Sequence, residues 1–310
     1  MSWLSQLDNV AFVTVCFCIF TAALTLFVLV WSCFKKSSAL IMFNKRMATL
    51  WVLILLFALA LGGGKLTSCL FFAALSAVGL AEYQTMVGRM RQDNFHNPLI
   101  YVFWAAQYAA LYFDVRVVFV ALIPFALFFL IPFFGIVYRQ RQDIWQICLS
   151  DYVGLMLTVY AMSYMFAYIA FEQMQAQNGV ALLLFILILT LMSDFFQAIC
   201  GFLCGRHYVA PLLSPHKTWE GLIGGGFLTA GLAYILGKYL TPFSLSELLI
   251  GGFVLNIAAF CGDVTISAIK RYAGVKDSSR LLPGHGGLLD RFDSILLTAP
   301  LLFWYVIWYY

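Results

Sequence analysis

The sequence predicts an all-α fold of the polytopic membrane class, and three observations carry that prediction. The 310 residues are 63% hydrophobic and only 10% charged, against about 25% charged in ordinary soluble chains. Apolar runs near the length that crosses a bilayer, about 20 residues, recur from one end to the other. Basic residues gather in alternate loops between those runs, which is the bias that orients membrane proteins. No polar interval is long enough to bury a core of its own, so residues 1–310 are expected to form a single membrane-embedded domain.

In chain order the runs lie near 10–34, 47–64, 66–83, 99–113, 116–137, 145–171, 179–200, 221–240, 248–269 and 288–310. The run at 99–113 is short and is followed at once by Asp114 and Arg116, so about nine to ten transmembrane helices are expected. The opening segment has no basic stretch, and the apolar run after it is too long for a cleaved signal peptide, which makes it a first span. The cysteines sit singly in apolar runs. Cys200 and Cys204 share a helix at a spacing that matches no zinc pattern, and reduced packing residues are the reading.

Lys35, Lys36, Lys45 and Arg46 put the first loop on the cytoplasmic side and the N-terminus outside. Alternation then brings Arg89 with Arg91, Arg139 with Arg141, and Arg206 with Lys217 to the cytoplasmic side. The opposite loops carry Lys65, Arg116 and Lys238.

One segment stands apart from the oily remainder. Asp263 to Asp293 holds nine of the 32 charged residues, four acids and five bases. Carboxylates hold hard cations, and Lys, Arg and glycine-rich backbone grip phosphate oxygens, so mixed charge of this density suits metal plus phosphate and not nucleic acid. A helix running past Asp263 would align Asp263, Ser267, Lys270 and Arg271 in one polar stripe. An ion-paired helix end is the plainer alternative.

The loop Pro283-Gly284-His285-Gly286-Gly287 brings N–H groups close to an anion site, and His285 is a phosphate ligand, a proton donor or a loop stabiliser. The helix that follows places Asp290 and Asp293 on one face, facing a cation or complementing the helix dipole. Upstream, Ser214 reads as an N-cap with Pro215 at the first helical position. That puts Lys217 and Thr218 in a first turn able to hold phosphate. Gly221, Gly224, Gly225 and Gly226 fit close helix packing. Asp194 lies inside the run at 179–200, where an ionised acid is costly and usually faces a cavity. Glu82 and Asp151 pose the same question, and each has the alternative of bonding between helices. The aromatics read as lipid-facing or interfacial anchors.

Taken together, Ser267-Ala-Ile-Lys270-Arg271, Lys276-Asp277 and His285-Gly286-Gly287-Leu-Leu-Asp290-Arg291-Phe-Asp293 resemble the signature of the phosphatidate cytidylyltransferases. Asp194-x-x-Gln197-x-x-x-Gly201, Gly205-Arg206 and Ser214-Pro-x-Lys217-Thr-x-Glu220-Gly221 extend the likeness, which covers roughly residues 190–300, with Ala81-Glu82-Tyr83 agreeing upstream. The resemblance implies a membrane enzyme that condenses phosphatidate with CTP to give CDP-diacylglycerol and pyrophosphate. Its implied cofactor is Mg²⁺, with a second cation left open. It implies metal-binding aspartates at Asp263 and Asp290, with Asp293 a third candidate. Substrate contacts are implied at Ser214, Lys217, Thr218, Lys270, Arg271 and Arg291, and Asp194, Lys276 and His285 join them on their own chemistry. Catalysis is expected of Asp263, Lys270 and Asp290, without a general base, because a phosphate nucleophile is already ionised.

Ile266 stands where many members carry Glu, Phe202 where a basic residue is common, and Gln197 fits a divergent bacterial branch. A bacterial inner membrane with the site facing the cytoplasm is the expected location, among membrane lipid, with a homodimer left open. A CTP-dependent lipid kinase, a nucleotidyltransferase with another lipid acceptor, and a transporter are the rivals. No inverted repeat of the kind many transporters show is visible.

Overall fold

The computed structural model describes residues 10–19, 21–23, 25–26, 38–91, 99–139, 144–211, 213–279, 281–282 and 286–310. Helix α1 is the described part of Val10–Ala23. Then follow α2 (Ser38–Gly62), α3 (Lys65–Arg91), α4 (Leu99–Tyr112), α5 (Arg116–Arg139) and α6 (Ile144–Leu155). A π-helical stretch, Met156–Ala161, joins α6 to α7 (Met162–Ala170), and α8 (Glu172–Ala176) is a single turn. The remaining helices are α9 (Gly179–Cys204), α10 (Trp219–Leu240), α11 (Leu245–Tyr272), α12 (Leu289–Phe292) and α13 (Ile295–Tyr309).

The helix stops follow local chemistry. Asp114 turns α4 into α5 with a left-handed φ of 59°, and Asn178 does the same before α9, where its side chain accepts the Ala181 N–H. Helix α11 begins with a reciprocal capping box between Ser244 and Glu247.

Among the described residues, five helices are long and apolar enough to cross a membrane: Lys65–Gly88, Cys148–Ala170, Gly179–Cys204, Trp219–Leu240 and Leu245–Tyr272. The chain is an integral membrane protein, but the expected nine to ten spans are not confirmed by that measure. The run at 288–310 breaks into α12 and a 15-residue α13, about 22 Å at 1.5 Å per residue, which falls short of a hydrocarbon layer of about 30 Å. Met47–Gly62 and Arg116–Phe125 are likewise shorter apolar stretches, and α1 is described only in part.

The all-α expectation holds for nearly all of the described residues, with one small exception. Tyr208–Ala210 (β1) and Ser214–Thr218 (β2) pair antiparallel as a small hairpin between α9 and α10. Ser214 therefore does not cap a helix. The cap is Thr218, whose Oγ1 accepts the Gly221 N–H at 3.1 Å, and α10 starts one residue later. An edge strand tolerates Pro215 as readily as a first helical turn does, which is why the sequence pattern fitted both.

One cluster of buried apolar side chains runs from Val13 to Val306. Helices α9, α10, α11 and α13 pack together in the C-terminal part, and α3 packs on α7. The glycines of α10 work as expected, since a Cβ on Gly225 would stand 2.8 Å from Gln197 Cγ on α9. Ser193, Gln197 and Asn256 hydrogen-bond inside this bundle and tie α9 to α11.

Candidate active site

The site is built where α9, α10 and α11 end or begin together, beside the hairpin and α12. The expected stripe on α11 forms: Ser267 Oγ donates to Asp263 Oδ1 at 3.2 Å, and Lys270 follows on the same face. The Lys217 ammonium on β2 lies 2.6 Å from Asp263 Oδ2 and 4.4 Å over the Phe260 ring. That contact is close but poorly directed, for Lys217 Nζ is buried without a well-aligned hydrogen-bond acceptor. The Lys270 ammonium donates to Asp290 Oδ1 at 2.7 Å.

Three acids meet beside these cations. Asp194 on α9, Asp263 on α11 and Asp293 at the end of α12 lie within electrostatic reach of one another. Asp194 Oδ2 accepts the Ser294 hydroxyl at 2.9 Å, whereas its Oδ1 is buried and has no partner. Burial, then the facing Asp263 and Asp194 carboxylates, push the Asp293 carboxyl well above the usual range. Close backbone approach makes this grouping, because a Cβ on Gly262 would run into the Asp293 carbonyl oxygen.

Asp290 behaves differently. Besides Lys270, it receives the N–H groups of Ser278 and Gly287 on Oδ2, each at 2.9 Å. Burial raises its pKa, but the Lys270 hydrogen bond and charge and these two amides outweigh that, and the net direction is down. Of the metal ligands expected from the sequence, Asp263 and Asp293 stand together beside Asp194, and Asp290 also fastens the loop before α12.

Among the described residues no three acidic, His or Cys side chains already stand in ligating geometry. A Mg²⁺ ion needs no such cage, since it keeps several waters and takes one or two carboxylates plus substrate phosphates. The unpartnered Asp194 Oδ1 and the mutually repelling acids fit a cation, with Asp263 and Asp293 as the pair that could hold it.

The remaining expected residues fall around this centre. Thr218 caps α10, Ser214 is half-buried at the hairpin, and Arg271 donates from Nε to the Leu213 carbonyl at 3.4 Å. Arg291 is exposed within reach of Asp194, and Lys276 is exposed on the loop. His285 lies outside the described residues. Glu82 on α3, legible as a buried acid and as part of the upstream Ala81-Glu82-Tyr83 likeness, has both its oxygens reaching into the site loop.

Comparison with known proteins bears on this geometry. A sequence model of the cytidylyltransferase family matches residues 44–309. A protein of Escherichia coli (strain K12) called uncharacterized protein YnbB is 35% identical over 263 residues, 84% of this chain and 86% of that protein. A phosphatidate cytidylyltransferase of Staphylococcus aureus (strain COL) is 40% identical over 129 residues, and one of Haemophilus influenzae 41% identical over 128. Each of these two alignments covers 40% of this chain and less than half of the relative, 48% and 44% respectively.

Proposed function

The chain belongs to the cytidylyltransferase family, and from that premise we propose that it is a phosphatidate cytidylyltransferase, joining phosphatidate to CTP to give CDP-diacylglycerol and pyrophosphate. The observation that supports this reading best is the alternation of ammonium and carboxylate at one end of the bundle. Lys217 sits on Asp263 and Lys270 on Asp290, with Asp194 and Asp293 left short of positive charge beside them. Two anionic substrates need such a surface, since each must lose its repulsion for the other before a P–O bond can form.

In this mechanism a phosphatidate oxygen attacks the α-phosphorus of CTP and pyrophosphate leaves in line. Lys217 and Lys270 neutralise phosphate oxygens, and Arg271 and Arg291 flank them from the hairpin side and from α12. Thr218 and Ser214 line the same edge as polar contacts. A divalent cation, Mg²⁺ on the chemistry of the donors, would be held by Asp263 with Asp293 and Asp194 and would draw charge from the α-phosphate and the leaving group. The charged loops face the cytoplasm of a bacterial inner membrane in this reading, where CTP is available.

The test is direct. Purified protein in detergent, given phosphatidate, CTP and Mg²⁺, is expected to form CDP-diacylglycerol and one pyrophosphate per lipid. Release of CDP with a newly phosphorylated lipid would assign a lipid kinase instead, and turnover only with another phospholipid or polyprenyl phosphate would move the acceptor.

A further inference from the structure

We infer that Glu82, far upstream of the charged segment, is a positioning residue for this site, acting by clamping the loop that carries Asp290. Glu82 lies on α3 and is only 6% exposed. Its Oε1 accepts the Ser279 hydroxyl at 2.6 Å and the Leu288 N–H at 2.9 Å. Its Oε2 accepts the Ser278 hydroxyl and the Leu289 N–H, each at 3.0 Å. All four partners are donors, and they fill the four acceptor positions of an ionised carboxylate.

Two of those donors are the free N–H groups at the start of α12, the turn that bears Asp290. The Ser278 hydroxyl also lies 3.0 Å from Asp290 Oδ2, so a single proton is shared between the Glu82 and Asp290 carboxylates. The neighbouring Leu289 packs on Tyr83, Met86 and Val87 of α3, which fixes the same turn by apolar contact. Gly287 shows how tightly the loop is drawn in: a Cβ there would stand 2.6 Å from Glu82 Oε2 and would overlap Ser278 Oγ. A helix from the N-terminal part thus sets where Asp290, and through it the Lys270 ammonium, can sit.

The clamp is a statement about an acceptor and not about size. Glu82→Gln keeps the volume but turns an NH₂ donor toward an N–H or a hydroxyl, leaving buried donors unmatched. Glu82→Asp keeps the acceptors one methylene shorter. Loss of an outer partner of this kind costs about 10–100-fold, so kcat should fall by that factor in Glu82→Gln and by less in Glu82→Asp, with the KM for CTP within about twofold of wild type. A role in packing alone would give the opposite order, the isosteric Gln being the better tolerated.

Amide hydrogen exchange across residues 286–292 reads the clamp without reference to the reaction, and should quicken in Glu82→Gln at Leu288 and Leu289. The inference rests on the cytidylyltransferase reading for its rate effect only. A wild-type protein that makes no CDP-lipid, with exchange still faster in Glu82→Gln, would sink that reading and leave the clamp standing. Wild-type turnover with unchanged exchange, or with kcat of Glu82→Gln equal to wild type, overturns the inference. Should Glu82→Gln not survive extraction as a monodisperse protein, Ser279→Ala removes one donor from a half-buried position. Faster exchange with lower kcat supports the clamp there, and wild-type values of either overturn it.

Discussion

Helix α11 carries an acid near each end, and the two could hardly be treated more differently. Glu247, in the first turn, has each oxygen supplied: Oε1 accepts the Tyr305 hydroxyl at 2.6 Å, and Oε2 accepts the Ser244 N–H at 2.6 Å and the Tyr310 hydroxyl at 2.9 Å. Asp263, near the other end, shares its surroundings with two more acids, one of which keeps a buried oxygen without a donor. Buried polar groups are nearly always satisfied, and exceptions call for a reason. At the Glu247 end the hydrogen bonds explain themselves as a cap that ties α11 to α13. At the Asp263 end the side chains alone do not complete the arrangement, which is what the proposed substrates and cation would do there.

The largest effect should therefore come from Asp263. Asp263→Asn removes the charge that pairs with Lys217 and would hold the proposed cation, and the expected loss of CDP-lipid formation is on the order of 10²–10³. Insertion and folding should be kept, because neutralising an acid lowers its cost in the membrane. Detergent-purified variant protein with wild-type elution volume and thermal unfolding, but no measurable turnover, is the outcome to look for. A rate within tenfold of wild type would make the Asp263 end an ion-paired brace, no different in kind from the Glu247 end.

Much of this end was legible in the sequence, and the reason is helical periodicity. Asp263, Ser267, Lys270 and Arg271 had to share a face once α11 ran through them, and it does. The approximate positions of the described spans were legible for the same reason, because long apolar runs admit few alternatives. What could not be read was tertiary. Nothing in the spacing of Asp290 and Asp293 says that one turns to Lys270 and a loop while the other turns to Asp194, since that depends on the break between α12 and α13. Glu82 stood some 200 positions from the loop it holds. A buried acid announces that it has partners but not which. The hairpin was hidden because Ser-Pro before a helix satisfies the rules for a cap as well as those for an edge strand.

Asp290 gives the next largest effect and separates holding from ligating. Its oxygens already serve Lys270, Ser278 and Gly287, so Asp290→Asn should loosen residues 286–289 to hydrogen exchange and cost about 10–100-fold in rate, the scale of an outer-contact loss. The pH dependence has a definite sign. The folded pKa is depressed, chiefly by Lys270 and the two amides acting against burial, so the unfolded chain binds the proton more readily. Its contribution is complete above the ordinary Asp value of about 3.9 and is lost only as pH falls through the lower folded value. Exchange protection of the loop should be flat from neutral pH down to about pH 5, once corrected for intrinsic rates. Protection that fades within that interval would show that Asp290 is not held as an ion.

The smallest effect tests the other half of the comparison. Glu247→Gln keeps one carbonyl oxygen for the Ser244 N–H and gains an NH₂ that Tyr305 or Tyr310 can accept, so most of the network at that end has a substitute. The expected cost is that of a weakened cap, about 1 kcal/mol of stability, read as a small drop in unfolding temperature with kcat and KM unchanged. The two ends of α11 are separated by the mainly apolar stretch from Leu248 to Phe260, in which buried Asn256 bonds sideways to Ser193 and Gln197 of α9 and not along α11 toward Glu247. If the rate nevertheless fell tenfold in Glu247→Gln at full folding, α11 would have to move as one rigid body in the reaction. The well-satisfied end would then be the anchor that sets where Asp263 stands.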